Sequence, residues 1–343
     1  MVAVPEAGGA ATRPRPAIPR RTLLRAAAAM VAAGTAPAWA LLPAAATLLV
    51  PGPEGGPLAH WASRLAAALA RGSTTAVVLR QSVLGGPDGV TAANRFATAA
   101  APDGRTLLVL PGAAAQARLV GDPRARFEGA GWAPVCAAQG PAVVAGRAGL
   151  AAAATGPIRL GLATPDQAGA VALLGLDLLG LPATPVPGLP GERAEAALAQ
   201  GAVEAVVLQG ADVPARLAAL GARPWFTLDG PGPRDPALPE TPTLGELASG
   251  GDAALRAGFV AAAANARLIG ALMLPALTPA DVVALWRAAA QRWLEEERAG
   301  LPAGIRVSAG AELAPVLSPL APPPEAVLAY REWLLRRLRW RPE

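Results

Sequence analysis

Apolar positions along the chain alternate between the short repeat of strands and the three-to-four-residue repeat of helices. Thr47-Leu48-Leu49-Val50-Pro51 predicts a short strand that ends in a Gly/Pro turn. Leu58, Trp61, Leu65 and Leu69 then recur at helical spacing through Ala70. Thr75 to Leu79 is rich in β-formers, Gly85-Gly86-Pro87-Asp88-Gly89 is a turn, and a helix is expected from about Val90 to Ala100. Arg105 to Leu110 reads as another strand. This β-α-β-α-β rhythm predicts right-handed parallel units with helices on both sheet faces.

The rhythm then restarts. Strands are expected at Ala142 to Ala145, Ile158 to Ala163, Ala202 to Leu208 and Pro224 to Leu228. Helical pieces are expected at Ala151 to Ala154, Ala168 to Leu179 and Glu192 to Gln200. A Pro/Gly-rich stretch from Gly230 to Pro242 follows, and later come a long helix, Ala280 to Ala299, and a terminal helix, Pro324 to Arg339. Periodicity by itself supports an α/β class with two sub-blocks.

Charge and cysteine usage exclude several functions. The chain of 343 residues carries a net charge of +5. All its basic side chains are arginine, and they are scattered without the aromatic interleaving of a single-stranded nucleic-acid binder. No nucleic-acid partner is therefore expected. The basic tail Arg336-Arg337-Leu338-Arg339-Trp340-Arg341 reads as a solvated helix end. One cysteine, Cys136, and one histidine, His60, leave no disulfide, metal cluster or redox pair to build, and no cofactor is expected. Cys136 lies in the apolar run Trp132-Ala133-Pro134-Val135-Cys136 and reads as a buried small hydrophobe.

The N-terminus reads as an export signal spanning residues 1–40. Arg20-Arg21-Thr22-Leu23-Leu24-Arg25 has a twin-arginine signature, followed by the apolar run Ala26 to Ala33 and the small-x-small site Ala38-Trp39-Ala40. The run is shorter than the roughly 20 residues a membrane-spanning helix needs. Cleavage near Ala40, a mature chain from Leu41 and a periplasmic location are the expectations.

Three short stretches carry a resemblance. They are Gly55-Gly56-Pro57 after the first strand, Ala101-Pro102-Asp103-Gly104-Arg105-Thr106-Leu107-Leu108, and Leu238-Pro239-Glu240-Thr241-Pro242-Thr243-Leu244-Gly245-Glu246. In these, the chain from about residue 47 onward resembles the solute-binding proteins of tripartite tricarboxylate transporters, the Bug or TctC-like family. The resemblance implies a two-lobed, type II periplasmic-binding-protein-like α/β fold with mostly parallel sheets and an interlobe cleft. It implies a first lobe over 41–142, a second over 143–264, and a C-terminal segment, 265–343, returning to the first. A monomer that captures a small carboxylate, with membrane permease subunits as partners, is the function it implies.

The site expected from these patterns lies at strand ends. In open α/β sheets, ligands bind beyond the carboxyl ends of strands, where helix N-termini offer unpaired N–H groups and a positive dipole end. The loop with Pro53, Glu54, Gly55 and Gly56 fits this, with Pro57 placed as the first helical residue, where its missing N–H costs nothing. Gly85 and Gly86 are a second candidate loop, and Thr164, Asp166 and Gln167 a third, on the second lobe. Facing loops of this kind close on a ligand by hinge motion. Pro102-Asp103-Gly104 and the loop ending in Thr243 and Glu246, which have capping-box spacing, read as scaffold.

The chain also departs from the family it resembles. Where the family carries an aspartate after its Gly-Gly turn, Ala59 stands here with His60 beside it, and His60 is a further candidate contact. Thr164-Pro165-Asp166 replaces a Gly-x-Gly, and Val186-Pro187-Gly188 replaces Val-Pro-Tyr. Glu54 and Asp166 would repel an anion unless water or a cation intervenes. An exported enzyme is the rival class, yet no nucleophile elbow is present and a triad base would have to be His60. An extracytoplasmic sensor would share the fold, and neighbouring permease or sensor-kinase genes would separate the two.

Overall fold

The computed structural model describes residues 41–342, apart from 168, 230, 231, 249, 302 and 303. The proposed signal segment, 1–40, lies outside the described residues. The first elements are β1 (Ala45–Pro51), α1 (Pro57–Gly72), β2 (Val78–Leu84), α2 (Val90–Ala99), β3 (Thr106–Leu110), α3 (Gly112–Val120) and β4 (Ala133–Gln139). A second block follows with β5 (Ala142–Gly146), α4 (Leu150–Ala153), β6 (Ile158–Gly161), α5 (Ala170–Leu178) and β7 (Ala183–Val186). It continues through α6 (Glu192–Ala199), β8 (Ala205–Gln209), α7 (Val213–Leu220), β9 (Arg223–Thr227) and α8 (Leu244–Leu247). The chain closes with α9 (Ala253–Arg267), β10 (Leu268–Leu274), α10 (Ala280–Glu297), β11 (Arg306–Ala309), α11 (Leu313–Leu317) and α12 (Pro324–Leu338).

Two sheets result, ordered β11-β4-β10-β3-β1-β2 and β7-β6-β8-β5-β9. The strands β1 to β4 share one direction in the first sheet, and β6 to β9 share one direction in the second. The opposed strands are β5, which enters the second sheet, and β10 and β11, which return to the first. The α/β class and the mostly parallel, two-lobed architecture are those expected from the sequence.

Each sheet is the middle of three layers, and the strand period of two decides which helices it meets. On β3, Leu107 and Val109 join the cluster built by α1 and α10, while Leu108 and Leu110 face α2 and α3. On β5, Val144 packs with α5 and α9, while Val143 and Ala145 pack with α6 and α7. Trp286 of α10 is fully buried in the first cluster and donates its indole N–H to the Gly104 carbonyl at 3.2 Å. The Pro102-Asp103-Gly104 turn is therefore scaffold, with Gly104 at φ 73° and the Asp103 carboxylate accepting from the Arg105 N–H at 2.9 Å. Thr243 and Glu246 form the reciprocal capping box their spacing predicts, at the start of α8. Arg234 donates to Glu246 and holds its carboxyl down at about 2.

The terminal helix α12 rests on both lobes. Tyr330, Trp333 and Leu334 belong to the core cluster beside the second sheet. Trp333 donates to Asp177 of α5 at 2.9 Å, and Arg331 donates to the Leu119 and Arg118 carbonyls of α3, each at 2.9 Å. Within the basic tail, Arg337 is engaged by Asp177 at 3.0 Å, so that part of it is packed rather than solvated. The second strand also differs from expectation. It begins at Val78 and runs to Leu84, pairing along its whole length with β1, instead of occupying Thr75 to Leu79. As an edge strand with few buried side chains, it carries little apolar signal of its own.

Candidate functional site

Three strand ends converge at one edge of the first sheet. β1, β2 and β3 are parallel, so Pro51, Leu84 and Leu110 end on the same side. The turns that follow are packed backbone to backbone. A Cβ on Gly52 would lie 2.2 Å from the Gly85 carbonyl oxygen, closer than any side chain tolerates. Gly89, at φ 74°, abuts Pro111, with Pro51 just beyond. Glycine is required at these two positions because nothing larger lets the loops approach.

Each turn opens a helix. Pro57 is the first residue of α1, as predicted, and Gly56 precedes it in extended conformation. Gly89 and Pro111 are the corresponding residues of α2 and α3. In all three helices the N-cap side chain makes no capping bond, because glycine and proline have none to offer. Three helix N-termini thus stand at one sheet edge with backbone N–H groups and the positive ends of their dipoles, an arrangement suited to an anion. The third terminus, Pro111-Gly112, was missed in the sequence, although it repeats the strand–Gly/Pro–helix pattern of residues 51–57.

The second sheet supplies an opposing edge. Gln139, at the end of β4, lies on the edge of β1–β3, and β5 begins directly after Gly140-Pro141 with Ala142 paired to Gln209 at the end of β8. The carboxyl ends of both sets of parallel strands therefore flank this crossover. After β6 come Thr164 to Gln167, joined to the Val186-Pro187-Gly188 turn through Gly188 N–H to Ala163 carbonyl and Leu189 N–H to Leu162 carbonyl, both 3.0 Å.

The structure brings the loop that carries Pro53, Glu54, Gly55 and Gly56 beside the turn that carries Gly85 and Gly86, on the first lobe, through the approach of Gly52 to Gly85. It places Thr164, Asp166 and Gln167 on the edge of the second. Among the described residues no hydrogen bond or ion pair joins these two groups. His60 is exposed on the first turn of α1, and its N–H donates to the Gly56 carbonyl at 3.0 Å. Ala59 is turned into the core, so the place where the resembled family has an aspartate carries a buried methyl group here. No three described His, Cys, Asp or Glu side chains gather in a way that could hold a metal ion, and no described helix is long and apolar enough to cross a membrane.

A buried ionic network ties the other flank of the crossover. Arg267, at the end of α9, pairs with Asp229, just after β9, and donates to Asp235 at 3.0 Å. Arg306 of β11 stands 3.8 Å from the same Asp235. Arg267, Asp229 and Asp235 are each more than nine-tenths buried. Burial pushes the Asp229 carboxyl up, and the Arg267 charge offsets this only in part. These residues are far apart in the sequence and form no local motif, so nothing in the sequence announced them.

The fold is that of two-lobed periplasmic binding proteins. No protein-family model and no curated protein matches the chain. Among solved structures it is similar to a TctC solute-binding protein from Polaromonas, solved without ligand, with 19% identity over 88% of this chain and 100% of that one and a TM-score of 0.65. It is similar to the periplasmic binding protein BugD at 17% identity, covering 86% of this chain and 97% of that one, with a TM-score of 0.54. It is also similar to an R. palustris protein solved with adipate, at 20% identity, 86% and 97% coverage and a TM-score of 0.54. These are proteins of the family to which the three sequence motifs pointed.

Proposed function

We propose that the chain is an extracytoplasmic solute-binding protein that captures a small carboxylate between its lobes for a tripartite tricarboxylate transporter. The observation that carries this reading is the convergence of three helix N-termini, none capped by its own N-cap residue, at the edge of the first sheet beside the crossover to the second, with Asp88 accepting from the Val90 N–H of α2 at 3.2 Å. A dicarboxylate ligand in a protein of the same fold, the R. palustris structure with adipate, supports the ligand class. Residues 52–56 and 85–89 form one jaw and residues 164–167 the other, with His60 at the rim. Glu54 and Asp166 require that water or a polar ligand group stand between them and the carboxylates. Export by the twin-arginine route, with cleavage near Ala40, and delivery to membrane permease subunits complete the proposal. The protein acts by binding and carries out no catalysis.

Thermal unfolding of the chain from Leu41, against mono-, di- and tricarboxylates, tests this. A ligand that binds only the folded state stabilises it by about 2.7 kcal/mol at a hundredfold excess over its Kd. A raised midpoint with at least one di- or tricarboxylate is expected, and a flat panel would reject the carboxylate assignment.

A further inference from the structure

On the flank of the crossover that holds the ionic network, a cavity of about 830 Å³ opens between the two lobes. Leu228 reaches it from the end of β9, Val260 from α9, and Val316 and Pro319 from the segment after β11. Its volume is within the roughly 300–1,000 Å³ of small-molecule sites, and its wall has their character, apolar with a few placed polar groups. The inner Arg267 is committed to Asp229 and Asp235, and the carboxylate it leaves in excess faces Arg306 across 3.8 Å.

The outer charges are held more loosely. The Arg306 side chain is 42% exposed, and its ion-pair contact, with Asp235, is 3.8 Å, beyond hydrogen-bond reach. Glu312 is exposed and has no ion-pair partner among the described residues. The two do not pair with each other within 4.0 Å, yet both line this cavity and an adjoining one of about 510 Å³. One guanidinium held by a single long ion pair and one carboxylate without an ion-pair partner among the described residues therefore line an apolar chamber.

We propose that this cavity is a second binding site, distinct from the cleft loops, for a zwitterionic amino acid with a large apolar or aromatic side chain. Arg306 takes the α-carboxylate, for which its planar fork offers two parallel hydrogen bonds. Glu312 takes the α-ammonium. The side chain lies against Leu228, Val260, Val316 and Pro319, and aromatic rings pack well on proline, as in the recognition of proline-rich peptides. A simple carboxylate would meet Glu312 uncompensated, and a simple amine would meet Arg306 in the same way.

Isothermal titration calorimetry with L-phenylalanine, 3-phenylpropanoate and 2-phenylethylamine tests the proposal, because the last two each lack one of the charges. Phenylalanine is expected to bind at least tenfold more tightly than either. Arg306→Gln and Glu312→Gln, both at exposed positions, are each expected to weaken phenylalanine at least tenfold, and Glu312→Gln to strengthen 3-phenylpropanoate by removing the charge that opposes it. The comparison of the three probes on the unaltered protein needs no variant, so it stands whatever the substitutions do to folding. Absence of phenylalanine binding, equal affinity for the deaminated acid, or phenylalanine binding indifferent to both substitutions would overturn it.

Discussion

Replacing Arg267 with methionine removes the cation that two buried carboxylates share. Asp229 would lose its ion-pair partner. Asp235 would keep the Ala237 N–H at 2.9 Å and the more distant Arg306 at 3.8 Å. Breaking a buried pair from one side costs about 3–5 kcal/mol, because the charge left behind has already given up its hydration. At roughly 2–4 °C per kcal/mol for chains of a few hundred residues, melting should fall by about 6–20 °C. The pH dependence carries a sign. Burial already raises the Asp229 carboxyl above its unfolded value, and losing Arg267 raises it further. Such a group favours the fold when protonated, so its contribution is complete below the unfolded carboxylate range and is lost as pH climbs through the raised folded value. The deficit of Arg267→Met should therefore shrink as pH falls from 7 toward 5, and Asp229→Asn added to it should recover part of the loss. Urea unfolding at several pH values reads both effects. A deficit under about 1 kcal/mol, or one that grows on acidification, would refute the reasoning that the pair is buried and mutually dependent.

Two further outcomes follow from the first lobe. Trp286→Ala should cost about 3–5 kcal/mol in denaturant unfolding, the usual cost of emptying a large aromatic site, with the Gly104 carbonyl also left unpaired. Cys136, wholly buried with its thiol pushed up to about 12, should not react with a thiol reagent at neutral pH until denaturant is added, and prompt labelling of the native protein would contradict its place in the core.

What the sequence revealed and what it hid divide along physical lines. Strands buried on both faces, such as β1 and β3, announce themselves by continuous apolar runs, and glycine and proline punctuation marked Gly56-Pro57 and the Gly85 to Gly89 turn. The Thr243–Glu246 capping box was legible because it is local and needs only its own four residues. The edge strand β2 was displaced because its alternation is half solvated. The helix α9 went unread because its alanine-rich segment differs little from the background and is fixed by packing against α12, and β10 and β11 went unread because antiparallel pairing with the distant β4 sets them. For the site, single loops were visible, but their assembly was not. The contact of Gly52 with Gly85, the third helix N-terminus at Gly112, and the Asp229–Arg267–Asp235 network depend on the topology that joins distant segments.

The most direct test of capture at the first-lobe loops is calorimetric titration of a dicarboxylate series, adipate included, into the wild-type protein and Gly52→Ala side by side. The added methyl group would sit 2.2 Å from the Gly85 carbonyl and force the two loops apart. A carboxylate that binds the wild type and is lost or weakened at least tenfold in Gly52→Ala, with α/β circular dichroism retained, is the predicted result. Equal affinity for both proteins would place the ligand away from these loops and contradict the account.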